Sequence, residues 1–318
     1  MKLVTFARQG GTDKQIGVMD GDDHVVALKA ANQELLLKQG IDPTRAEQLS
    51  DTVYSDMVNF IGFGEWGKEQ ARQVVSQSQD SEHRLALSDV QLLAPLQPTA
   101  LRDGLLFETH MTNFYVNLME KEVPKEFYQI PVYYKGNPST VVGHEAVVPW
   151  PHYSDDWDYE LELGIVIGKA GVDVSVDDAE SYIYGLTNFN DFSARDTLKQ
   201  EISVGLGPAK SKDFATGIGP WLVTMDEIPD IYNLEMVARV NGEEWSRGNT
   251  GQIHWKFAEI IARMADSEPL RVGEIFGSGT VAYGCGLELG KYLKDGDVVE
   301  LEISGLGVLR NTVTGHVK

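Results

Sequence analysis

The segment DYELELGIVIG, residues 158–168, places acidic side chains inside a stretch with the composition of a β-strand. Side chains alternate between the two faces of a strand, so Asp158, Glu160 and Glu162 share one face. An edge strand with one solvated face would accommodate that alternation. The continuation GIVIG is instead typical of a strand buried on both faces. The chain must therefore form a β-rich fold in which these acids either line a solvated edge or are buried with a partner.

A divalent cation is the partner that a buried pair of carboxylates would need. Side chains two apart on a strand lie ~6.5–7 Å from each other, and burying two unpaired carboxylates costs several kcal/mol each. Asp191, in GLTNFNDFSARD, follows an apolar strand and precedes a helix start, where it could be a third ligand or only an N-cap. Asp103, in ALRDGLLFETH, is a fourth candidate. An all-oxygen site favours Mg²⁺, with Mn²⁺ and Ca²⁺ as alternatives.

Charge and cysteine content exclude several kinds of function. The 318 residues carry a formal charge of −21, which repels nucleic acid and anionic membranes. Any anionic substrate would therefore need local cations. The single cysteine, Cys285, excludes an intrachain disulfide and a thiolate metal cage, and we interpret it as a small packed residue. No apolar run reaches the ~18 residues of a membrane span, and we expect a cytoplasmic protein.

The pattern along the chain predicts two domains, residues 1–87 and 88–318. Short β-rich runs and two helical stretches, the second from about Arg45 to Gln79, make the first a small α+β domain. The second is strand-dominated, with a hairpin turn at Asn241-Gly242 and a helix in HWKFAEIIARMAD. The glycines of GFGEWG match a dinucleotide-binding pattern, but helical sequence precedes them where a strand is required. An NAD-dependent oxidoreductase would rest on that match alone.

Several motifs, in order along the chain, resemble the fumarylacetoacetate hydrolase family. They are ALRDGLLFETH, DYELELGIVIG, NDFSARD, LGPAKSKDFATGIGPWLVT, VNGEEWSRGNT and GSGT. The resemblance runs from about Leu101 to the C-terminus, and the N-terminal segment is also similar to that family's first domain. It implies a mostly β fold with some α, in which a mixed β-sheet roll forms the catalytic domain of a homodimer.

The resemblance also implies roles for individual residues. Glu160, Glu162 and Asp191 match the metal ligands, and Asp103 matches a fourth ligand of the fumarylacetoacetase branch. His110 matches the catalytic histidine. The glutamate of the family's His-x-x-Glu subgroup is absent, because Asn113 stands there, and Glu288 instead matches the distant glutamate of the fumarylacetoacetase branch. Further matches to active-site positions are Lys212, a catalytic or structural cation, Arg195 and Thr280, which would bind substrate, and Thr216.

Four positions depart from that branch. Where fumarylacetoacetase has polar substrate-binding side chains, this chain has Leu105, Met119, Leu198 and Ile202. A pocket without those hydrogen-bond donors should hold the same dicarboxylate poorly. The metal and base residues are therefore retained while the residues that contact the substrate differ.

The expected activity is metal-dependent hydrolysis of a carbon–carbon bond in a β-diketone or 2,4-dioxo acid, a small anionic substrate. Candidates are fumarylacetoacetate-, fumarylpyruvate- or acylpyruvate-like compounds, used in aromatic compound catabolism. Decarboxylation of an oxo acid and keto–enol isomerisation are alternatives on the same metal site. A non-catalytic metal-binding β-domain is the alternative from another class, and it predicts no cavity beside His110.

Overall fold

The computed structural model describes residues 1–315, so the last three residues of the predicted second domain lie outside it. The strands are β1 (Lys2–Arg8), β2 (Gln15–Asp20), β3 (His24–Ala27), β4 (Arg84–Ala86), β5 (Val90–Leu92), β6 (Leu101–Gly104), β7 (Tyr133–Gly136), β8 (Val141–Val142), β9 (Val147–Pro149), β10 (Trp157–Asp158), β11 (Leu161–Ile167), β12 (Ile183–Asp191), β13 (Ser193–Ala194), β14 (Thr216–Thr224), β15 (Glu235–Val240), β16 (Glu243–Asn249), β17 (Ile275–Gly277), β18 (Val298–Ile303) and β19 (Gly307–Thr314).

The α-helices are α1 (Leu28–Lys38), α2 (Pro43–Tyr54), α3 (Met57–Gly62), α4 (Gly64–Gln77), α5 (Glu108–Thr112), α6 (Val176–Ala179), α7 (Arg195–Ser203), α8 (Phe257–Ala265) and α9 (Gly286–Leu289). A π-helical segment, Asn113–Leu118, continues α5. Short 3₁₀ turns occupy Leu87–Asp89, Lys125–Tyr128, Pro138–Thr140, Glu180–Tyr182, Met225–Glu227 and Thr250–Gln252.

The main sheet places β11 in its interior. Its strand order is β4-β3-β2-β1-β14-β12-β11-β17-β6-β7, with β5 also paired to β1 and β8 to β14. All seven residues of β11 are buried, because β12 and β17 pair with its two edges and apolar layers cover its faces. The solvated edge strand that alternation alone allowed is therefore wrong, and this strand is buried on both faces.

A second sheet, ordered β16-β15-β18-β19-β9, packs against the main sheet through the largest apolar cluster. The predicted turn at Asn241-Gly242 connects β15 to β16. Both of its residues have positive φ, 52° and 80°, as a tight primed hairpin turn requires. Helix α8 supplies the predicted apolar face, with Phe257, Ile260 and Ile261 in the same cluster.

The N-terminal segment joins the main sheet directly. Strand β1 pairs antiparallel with β14, with Lys2 opposite Val223 and Leu3 opposite Leu222. The predicted helical run from Arg45 to Gln79 is divided into α2, α3 and α4. Asp56 caps α3, since its carboxylate accepts a hydrogen bond from Asn59 N–H at 2.8 Å. The proposed boundary near residue 87 stays a prediction.

Helix and strand each make up 31% of the structure, and the expected mixed-sheet fold is confirmed. The three longest helices of the described residues, α1, α2 and α4, lie in the N-terminal segment. Helix α4 begins inside GFGEWG and follows α3 rather than a strand, so the strand required for dinucleotide binding is not there. Within residues 1–315, no helix combines the length and the apolarity that crossing a membrane requires.

Candidate metal centre and active site

Four acids converge where neighbouring strands of the main sheet meet. Asp103 lies on β6, Glu162 on β11 and Asp191 at the end of β12. Glu160 lies just before β11, where its backbone forms an isolated antiparallel β-bridge with Cys285. One oxygen from each carboxylate lies within 4.8 Å of the others, and all four residues are buried. The structure thus brings together the four predicted metal ligands, which are separated by up to about ninety positions in sequence.

Gly277 leaves the space in which two of these carboxylates sit. It lies on β17, between β6 and β11, and pairs with Asp103 in the parallel ladder. A Cβ atom there would lie 2.6 Å from Glu162 Oε2 and 2.7 Å from Asp103 Oδ1. Any larger residue would push the carboxylates away, so the cluster requires glycine at this position.

One side of the cluster is neutralised by side-chain cations. Lys212 Nζ lies 2.6 Å from Glu160 Oε2, 2.6 Å from Asp191 Oδ2 and 2.6 Å from Ser193 Oγ. Arg195 Nη1 lies 2.8 Å from Glu160 Oε1. Burial opposes ionisation of Glu160, but attraction to Lys212 and Arg195 outweighs it and lowers the pKa of this carboxyl. Glu160 is therefore an ionised, paired carboxylate.

The other side has no such neutralisation. Burial, with repulsion from Asp191, raises the pKa of Asp103 well above its usual range. Burial and the neighbouring Asp103 and Glu160 do the same to Glu162. Backbone Gly279 N–H donates to both Glu162 Oε2, at 3.0 Å, and Asp103 Oδ1, at 3.2 Å. Thr280 Oγ1 adds a long hydrogen bond, 3.5 Å, to Glu162 Oε1. These neutral donors cannot balance two charges, so the two carboxylates need a cation in order to ionise together.

The two carboxylate oxygens of Asp191 differ in their contacts. Its Oδ2 accepts hydrogen bonds from Lys212 and from Tyr134 Oη, the latter at 2.8 Å. Its Oδ1 is buried and has no hydrogen-bond partner among residues 1–315. An unpartnered buried carboxylate oxygen is costly unless a metal or a water binds it. The all-oxygen donor set, the surplus of negative charge and this free oxygen fit a divalent cation such as Mg²⁺, Mn²⁺ or Ca²⁺.

His110 and Glu288, 178 positions apart, form a second polar pair beside the carboxylates. Glu288 Oε2 lies 2.9 Å from His110 Nδ1, and Glu288 Oε1 accepts from Asn113 Nδ2 at 2.8 Å. Burial raises the pKa of Glu288, but the hydrogen bonds from His110 and Asn113 outweigh it and leave the pKa lowered. An ionised Glu288 requires the proton on His110 Nδ1, which leaves Nε2 as the acceptor.

A cavity of about 310 Å³ connects the carboxylates with His110. Predicted site residues that line it are Asp103, Leu105, His110, Glu160, Glu162, Arg195, Leu198, Ile202, Lys212 and Thr280. A cavity beside His110 is the feature that a purely metal-binding domain would lack.

Four predicted site residues do not line the cavity, and two of them, Asp191 and Glu288, contact side chains that do. The other two are Met119 and Thr216. Met119 follows the π-helical segment and is 43% exposed, while Phe114 and Tyr115 of that segment line the wall instead. Met119 therefore does not line the cavity, and its contact with substrate stays a prediction. Thr216 is buried on β14 opposite Asp191 in the ladder, so it supports the strand end that carries a ligand.

Comparison with known proteins decides the family. The fumarylacetoacetate hydrolase C-terminal domain matches residues 100–314, about two thirds of the chain. The chain belongs to the fumarylacetoacetate hydrolase family. An uncharacterized protein of Staphylococcus aureus (strain USA300) is 32% identical over 250 residues, which cover 76% of this chain and 79% of the relative.

Solved structures of the same fold cover essentially the whole chain. The 5-carboxymethyl-2-hydroxymuconate delta-isomerase of Mycobacterium smegmatis has a TM-score of 0.70 at 21% identity, covering 99% of this chain and 100% of its own. The maleylpyruvate hydrolase of Sphingobium sp. SYK-6, solved with manganese (II) and pyruvate, has a TM-score of 0.71 at 21% identity, with 100% coverage of both chains. At these identities the likeness is one of fold.

Asp158 is a residue of this family member that sequence reasoning left without a role. Its Oδ2 accepts from Arg195 Nε at 2.7 Å and its Oδ1 from Gly286 N–H at 2.7 Å. Asp158 thus ties the arginine to helix α9, which carries Glu288. Its position on the acidic face of the strand was the available signal. Tyr134 and Ser193, which contact Asp191 and Lys212, carried no signal beyond their proximity to those motifs.

Proposed function

We propose that this protein hydrolyses a carbon–carbon bond of a 2,4-dioxo acid in a catabolic reaction that depends on a divalent cation. Mg²⁺ is the proposed ion, with Mn²⁺ and Ca²⁺ as alternatives. The observation that carries the proposal is that His110, which is hydrogen-bonded to Glu288, lines the same cavity as Asp103, Glu160 and Glu162 of the carboxylate cluster. An oriented base is what water-dependent cleavage needs beyond a cation site.

The cation would supply Lewis acidity, favouring the enolate form of the leaving fragment. The chain supplies the base. Glu288 holds the proton of His110 on Nδ1, so Nε2 can take a proton from a water molecule that attacks the distal carbonyl carbon. The bond between C3 and C4 breaks, the hydroxyl stays on C4 as a carboxylic acid, and C3 regains a proton.

Arg195 and Lys212 would hold the anionic substrate. Arg195 Nη2 is buried and has no hydrogen-bond partner in the described part of the chain, so it can donate to the substrate's carboxylate. Burial opposes the charge of Lys212, but Asp191 and Glu160 outweigh it and raise the pKa of the ammonium group, so Lys212 stays charged. Its proposed role is to stabilise the oxyanion, for which one N–H of Lys212 must leave its hydrogen bond to Ser193 Oγ and donate to the substrate instead.

The long-range pairing of His110 with Glu288 also supports a position nearer the fumarylacetoacetase branch than the His-x-x-Glu branch. Assembly as a homodimer and a cytoplasmic location stay predictions.

Decarboxylation or keto–enol isomerisation on the same site is the second candidate. A relative in fold is described as an isomerase, and neither of these reactions needs an activated water. The hydrolytic proposal therefore depends on His110 acting on water.

Substituting His110→Ala tests this role. We expect the rate of acylpyruvate cleavage to fall by about 10²–10⁴-fold. The rate is measured from the loss of the enol absorbance, and the products are identified by chromatography. Metal content should be unchanged. His24→Ala is the matched control, because His24 pairs with Asp23 at the surface of β3. Unchanged hydrolysis in the His110 variant would remove His110 from the base role, and release of CO₂ or an isomer from the unaltered protein would favour the second candidate.

A further inference from the structure

The cavity offers cationic hydrogen-bond donors for one substrate carboxylate. Within residues 1–315, the lysines and arginines that line it are Arg195 and Lys212. The three protons of Lys212 are directed to Glu160, Asp191 and Ser193. Arg195 uses Nε for Asp158 and Nη1 for Glu160, which leaves the unpartnered Nη2. If Arg195 Nη2 takes the carboxylate next to the 2-oxo group, no cationic donor is left for a second one.

The charge around the cavity also disfavours a second carboxylate. The acids around Arg195 and Lys212 outnumber these two cations. Binding of one divalent ion would still leave a net negative charge. The buried acids of this group are Asp103, Asp158, Glu160, Glu162, Asp191 and Glu288. Each further negative charge on the substrate would be repelled in a site of low dielectric constant.

The rest of the lining is mostly apolar. It includes Leu105, Phe114, Val132, Leu198, Ile202 and Leu287. A carboxylate placed against these side chains would lose hydration without gaining a partner, whereas an alkyl or aryl group would gain from burial. Tyr115 also lines this part of the cavity, but a neutral phenol cannot balance a charge.

We infer that the substrate is a monocarboxylate whose acyl tail, beyond the ketone that is attacked, is uncharged and apolar. This inference rests on the proposed hydrolysis, since it names the substrate class for the same site. Dioxo acids with a second, distal carboxylate are disfavoured by the donors, the charge and the apolar wall together.

A matched pair of substrates tests the inference on the metal-supplemented full chain. Butyrylpyruvate and succinylpyruvate have the same number of carbons and differ by a terminal methyl or carboxylate group. Both would give pyruvate, with butyrate or succinate as the second product. We expect kcat/KM to favour butyrylpyruvate by on the order of 100-fold. Equal or faster cleavage of succinylpyruvate overturns the inference while leaving the proposed hydrolysis intact.

Binding separates this inference from the proposed activity. 2-Oxohexanoate and 2-oxoadipate have equal chain lengths and differ in the same terminal group, and neither has the 4-oxo group that hydrolysis needs. Calorimetry on the Mg²⁺-loaded protein should show 2-oxohexanoate binding at least about 10-fold tighter. If it binds no tighter than 2-oxoadipate, the inference is overturned. If it binds tighter but neither dioxo acid is cleaved, the apolar tail site stands and the proposed hydrolysis fails.

A cation added at the apolar wall should change the preference. Ile202 lines the cavity and is 54% exposed, so Ile202→Arg can be accommodated. We expect this variant to raise the succinylpyruvate-to-butyrylpyruvate ratio of kcat/KM by about five-fold. Val204→Arg is the control, because Val204 is 77% exposed and outside the cavity lining but on the same segment. Equal ratios in the two variants would show that the tail does not lie along this wall, which overturns the inference.

Discussion

Glu160 and Glu162 lie two residues apart and have opposite electrostatic environments. Glu160 contacts Lys212 and Arg195 at 2.6 and 2.8 Å, and these cations lower its pKa against the effect of burial. Glu162 contacts Asp103 and a backbone N–H, and burial together with the neighbouring acids raises its pKa. Without metal, the cluster thus has a paired side, in which Lys212 and Arg195 balance the charge of Glu160. On its unpaired side, Glu162 and Asp103 have no cation between them.

This difference separates two roles that acids in one cluster can have. On the paired side, a carboxylate compensates buried cations, so its loss should damage folding. On the unpaired side, carboxylates repel one another until a cation binds, so their loss should abolish metal binding and leave the fold intact. The four experiments below, in order of decreasing effect, test whether the two sides differ in this way.

The largest effect should follow removal of the unpaired side's cation. Chelation with EDTA, or the substitution Glu162→Gln, should lower hydrolysis by about 10³-fold or more, because the chemistry depends on metal-stabilised charge. Readdition of Mg²⁺ should restore the chelated wild type but not the variant, as measured by activity and by metal content. A Glu162→Gln protein that binds metal and turns over normally would contradict this role for Glu162.

The two glutamates should differ in stability when no metal is present. Glu160→Gln leaves Lys212 and Arg195 with one carboxylate fewer and should lower the free energy of unfolding by about 3 kcal/mol. Glu162→Gln removes a repulsive charge and should change that energy by less than about 1 kcal/mol, or increase it. Denaturant unfolding in EDTA at neutral pH measures both. Equal destabilisation would mean that the cluster is not divided into two sides.

A methyl group behind the unpaired side should have a smaller effect. Gly277→Ala crowds Glu162 and Asp103, since its Cβ would lie within 2.7 Å of an oxygen of each carboxylate. We expect a loss of about 1–3 kcal/mol in stability and a metal affinity lower by about 10-fold, measured by unfolding and calorimetry. Gly62→Ala, where no heavy atom lies within 4 Å of the added Cβ, is the control and should be neutral.

The smallest effect should be a dependence of stability on pH. In the metal-free protein, Asp103 and Glu162 have pKa values raised above 3.8 and 4.5, so the folded state keeps protons that the unfolded chain has released. This contribution is fully present below those ordinary values and is lost as pH rises toward the folded ones. The melting temperature should fall by a few degrees between about pH 5 and 8. Saturating Mg²⁺, or the substitution Glu162→Gln, should reduce this dependence of the melting temperature on pH.

Patterns within short segments of the sequence were sufficient to predict several features of the structure. Strand alternation placed Glu160 and Glu162 on one face, and the hairpin at Asn241-Gly242 followed from turn chemistry. The sequence did not predict the π-helical segment that precedes Met119, and Phe114 and Tyr115 of that segment line the cavity where Met119 does not. Asp158 was missed because its partners, Arg195 and the first N–H groups of α9, are distant in sequence.

From the sequence alone it followed that several acids share one face of a strand and that they would need a partner if the strand were buried, because burial of unpaired charge is costly wherever it occurs. The folded structure was needed to show that the strand is buried and which of its acids are paired. Arg195 follows β13 directly, and the hydrogen bond from Ala194 N–H to Ser211 O brings Lys212 to the same place, so that both cations reach Glu160. Strands β17 and β6 instead place Asp103 beside Glu162. Electrostatic energy depends on distances of a few ångströms between groups that chain order does not bring together.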